Sequence, residues 1–301
     1  MEGHGSALLR LGNYSTLILL SVIWGLAFAA IGLSERYLSP VNLALARWII
    51  ASACFLLLAP FFGRLRTKLD TRDLPRFLIV AFANVVAYHL TLYYSEENIA
   101  AGVAGLLVAL GPVFIMLMSR ILLDERHGRS VAAALLLAFT GTLILSQGSV
   151  QSGGLVSLAG VLEAVGTAFS YALFAVLSKP LVQRYGARPL TIWAGLAGTL
   201  MLLPLMSGSF FLQMERLPLQ GWLALLYLAI LSTVAGYMLF YSLVGRGSVT
   251  RLSIQLYLIP VVGVAGGVLF LGEGVTPYTI AGGVLLLSSI ALATMHRRSR
   301  N

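Results

Sequence analysis

Two ionisable side chains, Arg47 and Glu163, fall inside long apolar stretches of this sequence, and a histidine, His89, lies within a third. An unpaired charge in such surroundings is costly, so an Arg and a Glu at similar depth suggest an ion pair. The alternative for Glu163 is a proton-coupling role. His89 stands one residue off the polar face marked by Tyr88, which suits a hydrogen-bonded packing residue better than a proton relay. Around these groups, polar and aromatic residues recur at helical steps of three and four: Asn84, Tyr88, Thr91 and Ser95; Glu163, Thr167, Ser170, Phe174 and Ser178; Thr233, Tyr237 and Tyr241; Thr250, Ser253, Tyr257 and Pro260. Such stripes turn toward protein or water rather than lipid. With Trp24, Phe28 and Tyr171 they offer aromatic walls, a few hydroxyls and an amide, a combination suited to a small molecule with an apolar body and a polar head. Taken singly, each stripe reads equally well as an interhelical packing face.

Other chemistries find little support. The four histidines, His4, His89, His127 and His296, are too scattered for a metal-binding helix, and no glycine-rich phosphate loop with its lysine is present. No nucleophile has a base and an acid placed beside it by sequence logic. Cys54 is the single cysteine, which excludes an intrachain disulfide and a cysteine-based metal site. No enzyme, no cofactor and no nucleotide-driven pump is expected.

The elements that must position these residues are membrane spans. The 301 residues are 58% hydrophobic and only 10% charged, with a mean hydropathy of +0.91, whereas soluble domains are about 25% charged. A helix needs about 20 apolar residues to cross the hydrocarbon core. Ten segments qualify: 13–33, 41–62, 75–95, 99–122, 130–147, 159–182, 190–210, 220–244, 250–272 and 278–295. The first is long, carries Trp24-Gly25 in its middle and is followed at once by further spans, so it reads as a retained helix rather than a signal peptide. If the N-terminus is cytoplasmic, 17 of the 20 Lys and Arg fall in cytoplasmic loops, which predicts an even number of crossings with both termini inside. The net charge of +9 is then a consequence of topology and not a sign of nucleic-acid binding. A basic patch for a partner, from Arg64 to Arg76, competes with the simpler reading that this stretch meets anionic lipid headgroups.

The chain also repeats itself. Pro112 is followed thirteen residues later by Glu125, and Pro260 thirteen residues later by Glu273; Tyr93-Tyr94-Ser95 precedes the first pair and Phe240-Tyr241-Ser242 the second. Phe28 likewise falls opposite Phe174. Because five spans is an odd number, the second half starts from the opposite side, and the expected fold is all-α: ten transmembrane helices as two inverted five-helix repeats, 1–147 and 148–301, around a central cavity. The cavity is assigned to spans 1, 3, 4, 6, 8 and 9, leaving 2, 5, 7 and 10 as scaffold. Pro112 and Pro260, each removing a backbone hydrogen bond near mid-span, are the expected kinks and gates. Trp48, Trp193, Trp222 and Tyr278 are assigned to the interfacial belt. Gly263-x-x-x-Gly267 suits helix contact within the chain or between copies.

Trp24-Gly25 in span 1, Pro40 followed by Arg47 in span 2, and a mid-span Pro followed by Leu-x-Glu in spans 4 and 9 together resemble the drug/metabolite transporter superfamily in its ten-helix EamA-type branch. The resemblance covers nearly the whole chain and implies export of small metabolites across a bacterial inner membrane by alternating access, most like the amino-acid exporter branch with aromatic and other hydrophobic substrates. An intramembrane Lys pair typical of the sugar-phosphate and nucleotide-sugar branches is missing. The substrate-contacting residues expected from the stripes are Trp24, Phe28, Asn84, Tyr88, Ser170, Tyr171, Tyr237 and Tyr257. The partners implied are a small molecule and the lipid bilayer; the sequence leaves open whether the chain works as a monomer. Proton-coupled efflux of lipophilic cations, with Glu163 as the carboxylate, is the alternative; a non-transporting membrane enzyme or assembly factor is a more distant one.

Overall fold

The computed structural model describes residues 2–62, 69–111, 158–245 and 249–295, together with 113–115, 117, 118 and six positions between 133 and 144. Side chains within these ranges are described except at 2–14, 62, 241–257, 290 and 293–295. No described residue is in a strand. Helix is what lipid demands of such a chain, because every backbone N–H and C=O must be satisfied within its own segment. The helices are α1 (Glu2–Glu35), α2 (Pro40–Leu58), α3 (Leu74–Ala81), α4 (Tyr88–Asn98), α5 (Ala101–Val108), α6 (Leu158–Tyr185), α7 (Ala187–Leu202), α8 (Gly208–Glu215), α9 (Leu219–Leu226), α10 (Gly236–Gly245), α11 (Val249–Gly266) and α12 (Pro277–Met295).

Among the described residues six helices are long and apolar enough to cross a bilayer, and three shorter apolar ones run over Ala101–Ile115, Leu258–Leu271 and Pro277–Ser289. These correspond to nine of the expected spans; the remaining one, 130–147, lies largely outside the described residues. Large apolar side chains such as Phe61 (83% exposed) and Leu269 (76%) point outward, where lipid is their natural solvent.

Spans 3 and 8 are not plain α-helices. Phe82–Ala87 joins α3 to α4 as a π-helical turn, and Tyr227–Ala235 joins α9 to α10 in the same way. The two wide turns occupy equivalent places in the two halves. π-Turns widen the ring to i→i+5 and rotate everything beyond them relative to an α register. Neighbouring side chains take up the displaced carbonyls. His89 Nδ1 lies 3.0 Å from the Asn84 carbonyl and 3.2 Å from that of Val85. In the second turn, Thr233 donates to the Leu228 carbonyl at 2.8 Å and the Trp24 indole N–H donates to the Ser232 carbonyl at 3.0 Å.

α1 and α11 form the most extensive helix contact among the described elements, and glycine makes it possible. A Cβ on Gly25 would stand 2.5 Å from the Val262 Cβ and 2.9 Å from the Ile259 carbonyl, while Gly263 and Gly266 face Phe28 and Ala29. The glycine stripe of span 9 thus serves contact within the chain. α5 ends at Val108, whose carbonyl is the one that Pro112, lacking an N–H, has no means to satisfy.

The two ends of the bundle are tied differently. At one end, Arg184 reaches the Asp70 and Asp73 carboxylates at 2.8 and 2.6 Å, and the Tyr185 hydroxyl donates to Asp73 at 2.7 Å. The Arg72 backbone N–H and then the Arg184 side chain hold the Asp70 carboxyl below its usual range. At the other end, Gly272 adopts the left-handed conformation with φ 72°, closing span 9 so that the Glu273 N–H donates to the Gly267 carbonyl at 3.1 Å. This turn aims the Glu273 carboxylate at the start of α5, where it accepts from the Ala101 N–H at 2.7 Å and the Gly102 N–H at 3.1 Å. The Leu-Gly-Glu that closes the sequence repeat is therefore a helix stop followed by a clasp between spans 9 and 4.

Candidate functional site

A cavity opens between the two halves of the chain, with lining residues drawn from both. Spans 1, 2, 3 and 4 contribute from the first half and spans 6, 8 and 9 from the second.

Its walls are aromatic and mutually packed. Trp24 meets Tyr237 edge-on with ring centroids 5.6 Å apart and lies 5.4 Å from Phe240. Phe174 stands edge-on to Tyr171 at 5.2 Å and 6.4 Å from Tyr237. Tyr88 closes the ring at 6.5 Å from both Tyr171 and Phe174. Each such pair adds about 0.5–1.5 kcal/mol beyond area burial, so the wall is a stiff unit and not a set of independent side chains. Gly105 and Gly111 let it close up: a Cβ on Gly105 would touch the Phe28 ring at 3.4 Å, and one on Gly111 would collide with Tyr171 at 2.7 Å.

Of the expected contact residues, Trp24, Phe28, Tyr88, Tyr171 and Tyr237 line this space, as does Pro260. Asn84 and Ser170 are buried, at 3% and 7% exposure, but off the lining. Asn84 lies inside the π-turn, where the α register on which the stripe rests does not hold. Thr91 on the same stripe bonds the Thr167 hydroxyl at 2.8 Å and so serves packing between spans 3 and 6. Pro112 and the side chain of Tyr257 lie outside the described residues.

The expected Arg47–Glu163 ion pair does not form. Glu163 sits near the start of α6 at the Glu273 end of the bundle; a Cβ on Gly160, one turn away, would meet Asn98. Arg47 turns instead into the cavity lining, 4% exposed, with hydroxyl partners from spans 3 and 8: Nε to Thr233 at 2.7 Å, Nη1 to Tyr93 at 2.9 Å and Nη2 to Ser232 at 3.1 Å. Span 2 is thus part of the site and not scaffold alone.

Trp48 is a second correction. It is 1% exposed rather than interfacial, stacked edge-on to His89 at 5.2 Å and near Tyr237 at 5.9 Å. Gly195 on α7 makes room for its ring, since a Cβ there would be 3.2 Å from the indole. His89 itself is fully buried among Trp48, Tyr88 and Tyr93, the packing role expected of it. Phe240, which the helical stripe through Thr233, Tyr237 and Tyr241 passes over, is buried behind the lining and packs on Trp24, Tyr171 and Phe174.

No carboxylate is among the lining residues, whose fixed charge is the Arg47 guanidinium. Among the described residues no group of three His, Cys, Asp or Glu is placed to hold a metal ion. The arrangement suits binding rather than bond-breaking chemistry.

This architecture has relatives. An uncharacterised transporter of Archaeoglobus fulgidus is 31% identical over 95% of this chain and 99% of its own. A probable terminal-alkyne amino-acid exporter of Streptantibioticus cattleyicolor is 29% identical over 92% of this chain and 91% of its own. A probable amino-acid metabolite efflux pump of Salmonella typhimurium is 27% identical over 94% and 95%. In fold, a protein crystal structure at 20% identity superposes with a TM-score of 0.63 over 95% of this chain and 99% of that one. The model of one family matches twice, once over residues 13–147 and again over 158–295, the two halves between which the cavity lies. The chain is a multi-pass membrane transporter belonging to the EamA-like transporter family.

Proposed function

We propose that this chain exports amino acids, aromatic and other hydrophobic ones among them, by alternating access of one central cavity. The observation that carries the reading is the aromatic wall assembled from both halves: a bulky apolar side chain finds an apolar, polarisable enclosure there. Trp24, Phe28, Tyr88, Tyr171 and Tyr237 contact the substrate, and Pro260 marks where span 9 bends. The two relatives named for amino-acid export support the same substrate class. The halves, 1–147 and 148–301, act as inverted repeats that rock about the cavity, with both termini on the cytoplasmic side of a bacterial inner membrane as the Lys and Arg distribution favours.

The sign of the charge weighs against efflux of lipophilic cations, which would call for a carboxylate in the lining. The described lining has none, and its guanidinium would repel such a substrate.

Reconstituted into proteoliposomes, the protein is expected to accelerate counterflow of labelled phenylalanine several-fold over empty vesicles, to move threonine more slowly, and to leave an unrelated sugar at background. Rates equal to empty vesicles for all three would remove the reading for these substrates.

A further inference from the structure

Arg47 is a buried cation with no carboxylate in contact distance among the described residues. Its side chain is 4% exposed, and Arg keeps its charge at any pH relevant to a protein. Every partner it has in hydrogen-bond reach is a neutral hydroxyl: Thr233, Tyr93 and Ser232. Among the described residues no carboxylate approaches it within 4.0 Å, the ion pairs there being those of Arg184 with Asp70 and Asp73. Glu96, one turn beyond Tyr93 on α4, has both carboxylate oxygens buried with no hydrogen bond to Arg47 or to any other described group. A buried charge with no ion in contact costs several kcal/mol even after relaxation, so the site gains from an anion that arrives with the ligand and contacts the guanidinium.

The geometry fits that role. A guanidinium has five N–H donors, and three are taken, one from each nitrogen. One donor is left on Nη1 and one on Nη2, available to a carboxylate that reaches them. The hydroxyls that hold the guanidinium are themselves held: Thr233 by the Leu228 carbonyl, the Ser232 backbone by the Trp24 indole, and Tyr93 by complete burial. The cation is therefore fixed in place before any ligand enters, at the edge of a space otherwise walled by aromatic rings.

We infer that Arg47 is the carboxylate-recognition residue of the transport site, so that the substrates are carboxylates with an apolar body. This inference rests on the transport reading above. It goes further in making the carboxylate, and not the amino group, the feature that selects the substrate.

The test uses the wild-type protein with four probes. L-Phenylalanine, 3-phenylpropionate, phenethylamine and phenylalaninamide are compared as competitors of phenylalanine counterflow and as stabilisers of the detergent-solubilised protein against heat. A charge-assisted pair of hydrogen bonds corresponds to at least about a tenfold preference. 3-Phenylpropionate should therefore compete within a few-fold of phenylalanine, and phenethylamine and phenylalaninamide at least tenfold more weakly. Arg47→Lys should retain part of this preference and Arg47→Gln should lose it. Phenylalanine flux with phenethylamine competing as well as phenylalanine overturns the inference and leaves the transport reading standing. No phenylalanine flux or binding at all overturns both.

Discussion

Replacing Glu273 with alanine is expected to shift the protein toward forms open at the Glu273 end by a factor on the order of ten to one hundred. The carboxylate accepts hydrogen bonds from the Ala101 and Gly102 amides, the first donors of α5, which no intrahelical carbonyl can satisfy. Hydrogen bonds to a charged group contribute about 1.5–3 kcal/mol, and the positive end of the α5 dipole adds to the attraction. The surrounding backbone has been shaped for the clasp. A Cβ at Gly102 would stand 3.2 Å from the Glu273 carboxylate, and one at Gly267 would overlap it. Glu273→Gln keeps an acceptor but loses the charge, so its shift should be smaller. The direct readout is hydrogen exchange at the Ala101 and Gly102 amides, which should accelerate in Glu273→Ala. Unchanged exchange at both would mean that the clasp does not hold spans 4 and 9 together.

The other large effect is expected at Gly25. Its missing side chain is what lets α1 lie on α11, and a single methyl there meets the Val262 Cβ and the Ile259 carbonyl at distances that neither a rotamer change nor a small tilt relieves. Overpacking of this kind costs about 1–3 kcal/mol for one methyl group, and Gly25→Leu should exceed that. The consequence reaches the cavity because Trp24, the next residue, both lines it and bonds the Ser232 carbonyl. Gly25→Ala should lower the thermal unfolding midpoint in detergent and slow phenylalanine flux together. Gly208→Ala, with nothing within 4 Å of the added Cβ, should do neither. A Gly25→Leu protein as stable and as active as wild type would contradict the packing described.

Much of the architecture was legible from elementary constraints. Long apolar segments, basic loops on one side and a Pro-to-Glu pattern occurring twice lead directly to a membrane chain built from two halves. The family model matching each half agrees with that reading. The aromatic wall was legible too, because Trp24, Phe28, Tyr88, Tyr171 and Tyr237 differ enough from their apolar neighbours to stand out. What escaped were features that depend on a change of helical register. The turns at Phe82–Ala87 and Tyr227–Ala235 are invisible to a pattern of 3.6 residues per turn; Asn84, inside the first, is off the cavity lining, and Phe240, beyond the second, packs behind it on Trp24. Arg47 escaped for another reason. Glu163 is the opposite charge that the sequence sets at similar depth, whereas the partners of Arg47 are three hydroxyls that carry no distinctive signal in an apolar sequence. Trp48 followed its neighbour inward because Gly195 leaves it room, a complementarity between spans 2 and 7 that neither span shows alone.

The claim on which the rest depends is that the substrate passes through the cavity between the halves. Ala27 lines that cavity, and the single native cysteine, Cys54, can be removed as Cys54→Ser. In that background, the rate of maleimide modification of Ala27→Cys is measured in proteoliposomes that transport phenylalanine, with Gly208→Cys as the control outside the cavity. Phenylalanine at concentrations that saturate flux should slow modification at position 27 several-fold and leave position 208 unchanged. Modification at position 27 that is indifferent to phenylalanine, while flux persists, would place the substrate path elsewhere.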